Sequence, residues 1–128
     1  MMNTSAKLVQ SIINRRSLIG VIGLGYIGLP LAISFVESGF QILGFDEDAT
    51  KIASINSGKS YLHHIDDTSL ASHVTKGKLQ GTSDMSRLSE PDVILICVPT
   101  PTTEKSEPNF IHLSKAIQDI AIQLRQGQ

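Results

Sequence analysis

A doubly wound α/β fold built on a parallel sheet is predicted by three observations: short apolar runs alternate with helical periods, a glycine-rich turn joins the first run to a helix, and a carboxylate closes the second run. Apolar residues make up 41% of the 128, and the ten glycines bring that to about half, as in soluble globular chains. Eleven Lys and Arg against twelve Asp and Glu leave a formal charge of −1. Nucleic acid is not an expected partner, because neutralising a phosphate backbone takes a basic excess. One cysteine cannot form an internal disulfide, and four scattered histidines make no zinc-spaced set. A reduced, metal-free cytoplasmic protein is therefore expected.

Residues 1–17 are polar, with Leu8, Val9, Ile12 and Ile13 at helical spacing, and are read as an N-terminal helix packed on the body. Residues 18–128 are read as an incomplete Rossmann domain. Within it Leu18–Leu24 is an apolar run ending in glycines, which fits a strand buried on both faces. Ile27–Glu37 is a helix, with Pro30 tolerable in its first turn and Gly39 as its stop. Gln41–Phe45 is a second strand, and residues 48–57 form a helix ended by Gly58.

Residues 59–66 read as a loop, and 67–76 as a short helix capped by Asp66 or Asp67 and stopped by Gly77. Leu79–Thr82 is a brief strand. Asp92–Val98 is a buried strand stopped by Pro99 and Pro101, and Phe110–Leu124 is a helix capped by Asn109. The right-handed crossover rule then sets the strand order 3-2-1-4, a sheet that stops after the helix following strand 4.

Leu18–Val36 is nineteen residues without a charge, preceded by Arg15 and Arg16, so a membrane-anchored segment is a competing reading. Gly20, Gly23, Gly25, Gly28 and Pro30 within eleven positions argue against one spanning helix, and no membrane partner is expected.

The chemistry lies in Gly23-Leu24-Gly25-Tyr26-Ile27-Gly28, a G-x-G-x-x-G placed between a strand and a helix. Gly23 permits the tight turn, Gly25 lets backbone approach a diphosphate, and Gly28 lets helix and strand pack closely. The diphosphate would rest on free N–H groups at the positive end of the helix dipole. Asp46 closes the next strand 23 residues after Gly23, where a carboxylate accepts hydrogen bonds from the adenosine ribose hydroxyls. A 2′-phosphate there would meet Asp46, Glu47 and Asp48 in succession, so NAD is favoured over NADP. Glycines serving only a strand-to-helix turn, and a solvated acid at a strand end, are the competing readings. Cys97, inside an apolar run, is expected to be an inaccessible protonated core thiol. His63 and His64 are adjacent and so diverge, while His73 and His112 are isolated; none is assigned a role.

With these residues in place, the chain resembles the N-terminal part of the nucleotide-sugar 6-dehydrogenases, which act on UDP-glucose, UDP-N-acetylglucosamine and UDP-N-acetylmannosamine. Gly20–Ala32 is similar to that family's opening, Gly44–Asp48 with Lys51 and Ile55–Ile65 to its second strand and following loop, and Ile96–Pro101 to its fourth strand and turn. The stretches 60–65 and 106–110 lean toward the N-acetylhexosamine branch.

The resemblance implies oxidation of a UDP-sugar C6 hydroxyl to a carboxylate with NAD, through a thioester on a cysteine, in a parent enzyme that is a homo-oligomer. It implies NAD contacts from Gly23 to Gly28, Asp46, Lys51, and the turn Val98, Pro99, Thr100, Pro101 and Thr102. A solvated helix lysine is the alternative for Lys51, and a turn-shaping residue the alternative for Thr100. His63 and Asn109 depart from the family pattern, each standing where an acid is common. No catalytic residue of that family matches a position here, so these 128 residues alone are expected to be inactive. The remaining alternative is the cofactor domain of another NAD-dependent dehydrogenase.

Overall fold

Hydrophobic runs of four or five residues are too short to bury themselves as helices, and here they pair side by side. In the computed structural model, which describes residues 2–128, β1 (Leu18–Ile22), β2 (Gln41–Phe45), β3 (Leu79–Thr82) and β4 (Val93–Ile96) form one parallel sheet. Its order is β3-β2-β1-β4, as the crossover rule predicts. Ile22 pairs with Phe45 on one side and Ile96 on the other. The two-residue period of a strand then sorts the side chains. Ile19, Val21 and Ile42 enter one core, and Ile22, Leu43 and Phe45 the other.

The first core is covered by α2 (Gly28–Glu37), α3 (Ala49–Asn56) and α4 (Asp67–Thr75), which supply Leu29, Ala32, Val36, Ile55 and Leu70. The second is covered by a 3-10 helix (Met85–Ser89) and α5 (Ile111–Gln123), through Leu88 and Ala116. Asp48 caps α3 by accepting from the N–H groups of Thr50 and Lys51, and Asp66 caps α4 by accepting from Ser69. The uncharged segment 18–36 is thus a strand, a turn and a helix. Among the described residues no helix is long and apolar enough to cross a membrane.

Several expectations need correction. The strand expected over 18–24 ends at Ile22, because Gly23 (φ 93°) turns the chain after its N–H bonds Phe45 O at 2.8 Å. The strand expected over 92–98 shrinks to Val93–Ile96 and lies at the sheet edge, so it is not buried on both sides: Ile96 is 39% exposed and Cys97 only half-buried. The N-terminal helix α1 (Thr4–Ile13) forms but buries none of its residues, and Val9 and Ile13 stay exposed. It is held by Ser11 and Ser17, whose hydroxyls are 2.8 Å apart, and by Arg15, which donates to Ser38 O and lies over the Phe40 ring. Phe110, not Asn109, is the N-cap of α5; the Asn109 side chain instead accepts from the Ile111 N–H at 3.0 Å.

Candidate functional site

The turn from β1 to α2 leaves backbone donors without a protein acceptor among the described residues. The N-cap of α2, Ile27, has no side-chain acceptor, and among the described residues the N–H groups of Gly25, Tyr26 and Ile27 have no protein acceptor. A Cβ built on Gly25 would meet nothing within 4 Å, so the approach to these donors is open. On Gly28 it would lie 1.6 Å from Gly23 O, a contact no side chain survives. Free N–H groups at a helix start form an anion site, strengthened by the helix dipole.

Asp46 follows β2 and faces this turn. One carboxylate oxygen accepts from the Leu24 N–H at 2.9 Å, and the other from the Asp48 N–H at 2.9 Å. Each oxygen keeps a further lone pair, so the carboxylate is oriented by backbone and can still accept from a diol. Leu24 itself is fully buried against Gly44, and only its peptide groups reach the turn.

A residue that sequence reasoning missed completes this cluster. The Tyr61 hydroxyl donates to Leu24 O, and the Lys51 ammonium lies 5.7 Å from the centre of the Tyr61 ring. Burial, with Asp46 and Asp48 adding negative charge nearby, pushes the Tyr61 phenol well above its ordinary range. Its only signal in the sequence is an aromatic within the loop 59–66, with no chemical pattern around it.

Beside Asp46 opens a cavity of about 240 Å³. Its lining includes Ile22, Gly23, Asp46, Lys51, Val98 and Pro99, joined by Met85, His112, Ala116 and Asp119 from the 3-10 helix and α5. This volume is below the ~300–1,000 Å³ usual for a drug-sized ligand, so the cavity fits part of a dinucleotide rather than all of it. Apolar walls beside a diol-accepting carboxylate suit a nucleoside. Lys115 of α5 ties the two sides together, 2.6 Å from Glu47 and 3.1 Å from Asp119, and these bonds hold its ammonium above the usual lysine range.

Of the residues expected to line a cofactor site, Gly23, Asp46, Lys51, Val98 and Pro99 share this cavity. Gly25, Tyr26 and Ile27 stand at the open turn, with Tyr26 79% exposed. Thr100, Pro101 and Thr102 are exposed and lead away from the cavity into a small loop, where Thr102 bridges Pro108. Cys97 packs toward the α2 face, and burial raises its thiol. His63 and His64 are exposed and line two separate shallow grooves. His112, unassigned from sequence, reaches the cavity wall.

Comparison with known proteins places this geometry in a group. Residues 17–128 match the family model described as UDP-glucose/GDP-mannose dehydrogenase family, NAD binding domain. The chain is 37% identical over 110 residues to a UDP-N-acetyl-D-mannosamine dehydrogenase of Pyrococcus horikoshii, covering 85% of this chain and 26% of that protein. It is 32% identical over 109 residues to a UDP-N-acetyl-D-glucosamine 6-dehydrogenase of Pseudomonas aeruginosa, covering 85% and 25%. Among solved structures, an NDP-N-acetyl-D-galactosaminuronic acid dehydrogenase from Methanosarcina mazei Go1 superposes with a TM-score of 0.81 at 29% identity, covering 100% of this chain and 29% of that one. The chain spans about a quarter of the length of the curated relatives it matches.

Proposed function

The chain belongs to the UDP-glucose/GDP-mannose dehydrogenase family and carries its NAD binding domain, and from that premise we propose that it is the cofactor-holding part of a nucleotide-sugar 6-dehydrogenase. The observation that carries this reading is the joint geometry of the open Gly25 turn and the backbone-oriented Asp46 beside an apolar cavity. The residues present fit NAD. Gly25, Tyr26 and Ile27 offer N–H groups to its diphosphate, and Asp46 accepts from the adenosine ribose hydroxyls. Ile22, Val98, Pro99 and Ala116 shield the adenine from water, while Lys51 flanks the ribose. When bound, NAD supplies a hydride acceptor.

The substrate proposed for the parent enzyme is a UDP-N-acetylhexosamine, with UDP-glucose as the second candidate, oxidised at C6 to the uronic acid. Two supports are the relatives named for UDP-N-acetyl sugars and the 60–65 and 106–110 stretches. Residues 18–128 act as the NAD-binding unit, preceded by the N-terminal helix α1 (Thr4–Ile13). A cytoplasmic, homo-oligomeric parent with neither nucleic-acid nor membrane partners completes the reading, consistent with a lone unpaired cysteine and a soluble cofactor. Titrating the labelled chain with NAD tests the core of it. Amide resonances of residues 25–27 and 46 should move together and saturate; a titration that leaves them in place overturns the assignment.

A further inference from the structure

Resting on that cofactor reading, we infer that Tyr61 is a positioning residue for the diphosphate: by holding the Leu24 carbonyl, its hydroxyl aims the Gly25 N–H into the anion site. The geometry begins with the peptide plane. In a trans peptide the C=O of one residue and the N–H of the next point in opposite directions, so the direction of Leu24 O fixes that of the Gly25 N–H. Leu24 O is held by Tyr61, 37 residues away in sequence. The preceding peptide is held as well, because the Leu24 N–H donates to Asp46 at 2.9 Å. Both peptide groups that flank Leu24 are thus clamped by side chains from other elements. The Gly25 N–H has no protein acceptor among the described residues, and the space beside the Gly25 Cα is open.

Glycine is the residue least able to fix its own backbone, so an external clamp matters most there. Tyr61 is also linked to the ribose side of the site through the Lys51 ammonium on its ring. One aromatic side chain therefore joins the diphosphate turn to α3, which carries Lys51.

The test compares Tyr61→Phe with the unaltered chain for three probes: NAD, ADP and adenosine. The phenyl ring preserves the packing and the Lys51 contact, so only the bond to Leu24 O is lost. Affinity for NAD and ADP should fall about tenfold, the scale of one lost hydrogen bond to a charged ligand, while adenosine binding stays unchanged. Equal loss across all three probes, or no loss, overturns the inference, since a merely structural role would not discriminate by diphosphate. Should the unaltered chain bind no NAD, the cofactor reading falls, and Tyr61 is then judged in the free protein. A shifted Gly25 amide resonance in Tyr61→Phe upholds the clamp, and an unmoved one overturns it. If Tyr61→Phe does not fold, the unaltered chain decides: a Tyr61 hydroxyl proton with a through-bond NMR coupling to the Leu24 carbonyl carbon upholds the bond, and one without that coupling overturns it.

Discussion

Asp46 shows how one carboxylate serves two purposes. Its oxygens receive backbone N–H groups from Leu24 and Asp48, which orient it without using all its lone pairs. A 2′-phosphate brought to this carboxylate would meet like charge, with Glu47 and Asp48 adding to it. Asp46→Ala should narrow the NAD-to-NADP ratio of dissociation constants by about tenfold or more, since about 1.4 kcal/mol of repulsion is a factor of ten. Calorimetric titration with both cofactors measures it, and an unchanged ratio removes Asp46 from the ribose position.

Cys97 behaves differently from its expectation as an inaccessible core thiol. It follows an edge strand and is half-buried, so a small alkylating reagent should reach it in the folded chain. Burial disfavours the thiolate and raises its pKa above that of a free thiol, about 8.5. The stability due to the neutral thiol is complete below that unfolded value and is lost as the pH rises through the folded one. Alkylation of the native chain should therefore be slow at neutral pH, with a pH midpoint higher than that of the unfolded chain. Mass spectrometry across a pH series checks both points, and coincident midpoints would show that the site is not desolvated.

At the scale of elements, the glycine turn separates folding from binding. A methyl on Gly28 would sit 1.6 Å from Gly23 O, between backbone groups that cannot give way, whereas a methyl on Gly25 meets nothing within 4 Å. Gly28→Ala should therefore lose the cooperative thermal transition. Gly25→Ala should keep Tm within a few degrees yet weaken NAD binding by tenfold or more, because the added carbon occupies the diphosphate approach. Circular dichroism melts paired with NAD titrations distinguish the two, and a Gly28→Ala chain that melts normally would contradict the packing.

The same turn shows what a sequence can reveal. All four strands and their order were legible, since buried apolar runs and glycine stops are local signals and the crossover rule supplies the topology. The ends of β2 and β3 were legible too, but the C-terminal ends of β1 and β4 were not, because Gly23 and Cys97 lie where pairing ceases rather than where hydrophobicity does. Tyr61 and Arg125 were invisible for a further reason. Tyr61 acts on Leu24, while Arg125 donates to Ser89 O at 2.6 Å and to Asp92 at 3.0 Å. Such contacts join segments more than 30 residues apart and leave no period in the chain. The packing of α1 was misjudged because amphipathic spacing says that a face is apolar, not what covers it.

Considered whole, the described residues set a cavity beside Asp46 and bring no thiol to it. Carrying a C6 alcohol through to a carboxylate by way of a thioester needs a thiolate, the reacting carbon and the hydride acceptor within one cleft. The only thiol is Cys97, which packs toward α2, is absent from the cavity lining, and is held in its neutral form by burial. The cavity itself offers carboxylates, Lys51 and His112, none of which forms a thioester. These 128 residues should therefore bind NAD without reducing it. Incubation with NAD and UDP-glucose, UDP-N-acetylglucosamine or UDP-N-acetylmannosamine should produce no NADH absorbance above a sugar-free control. Formation of NADH that disappears in Cys97→Ser would place the nucleophile directly after β4 and refute this reading, because the thiol would then have to turn from the α2 face into the cleft.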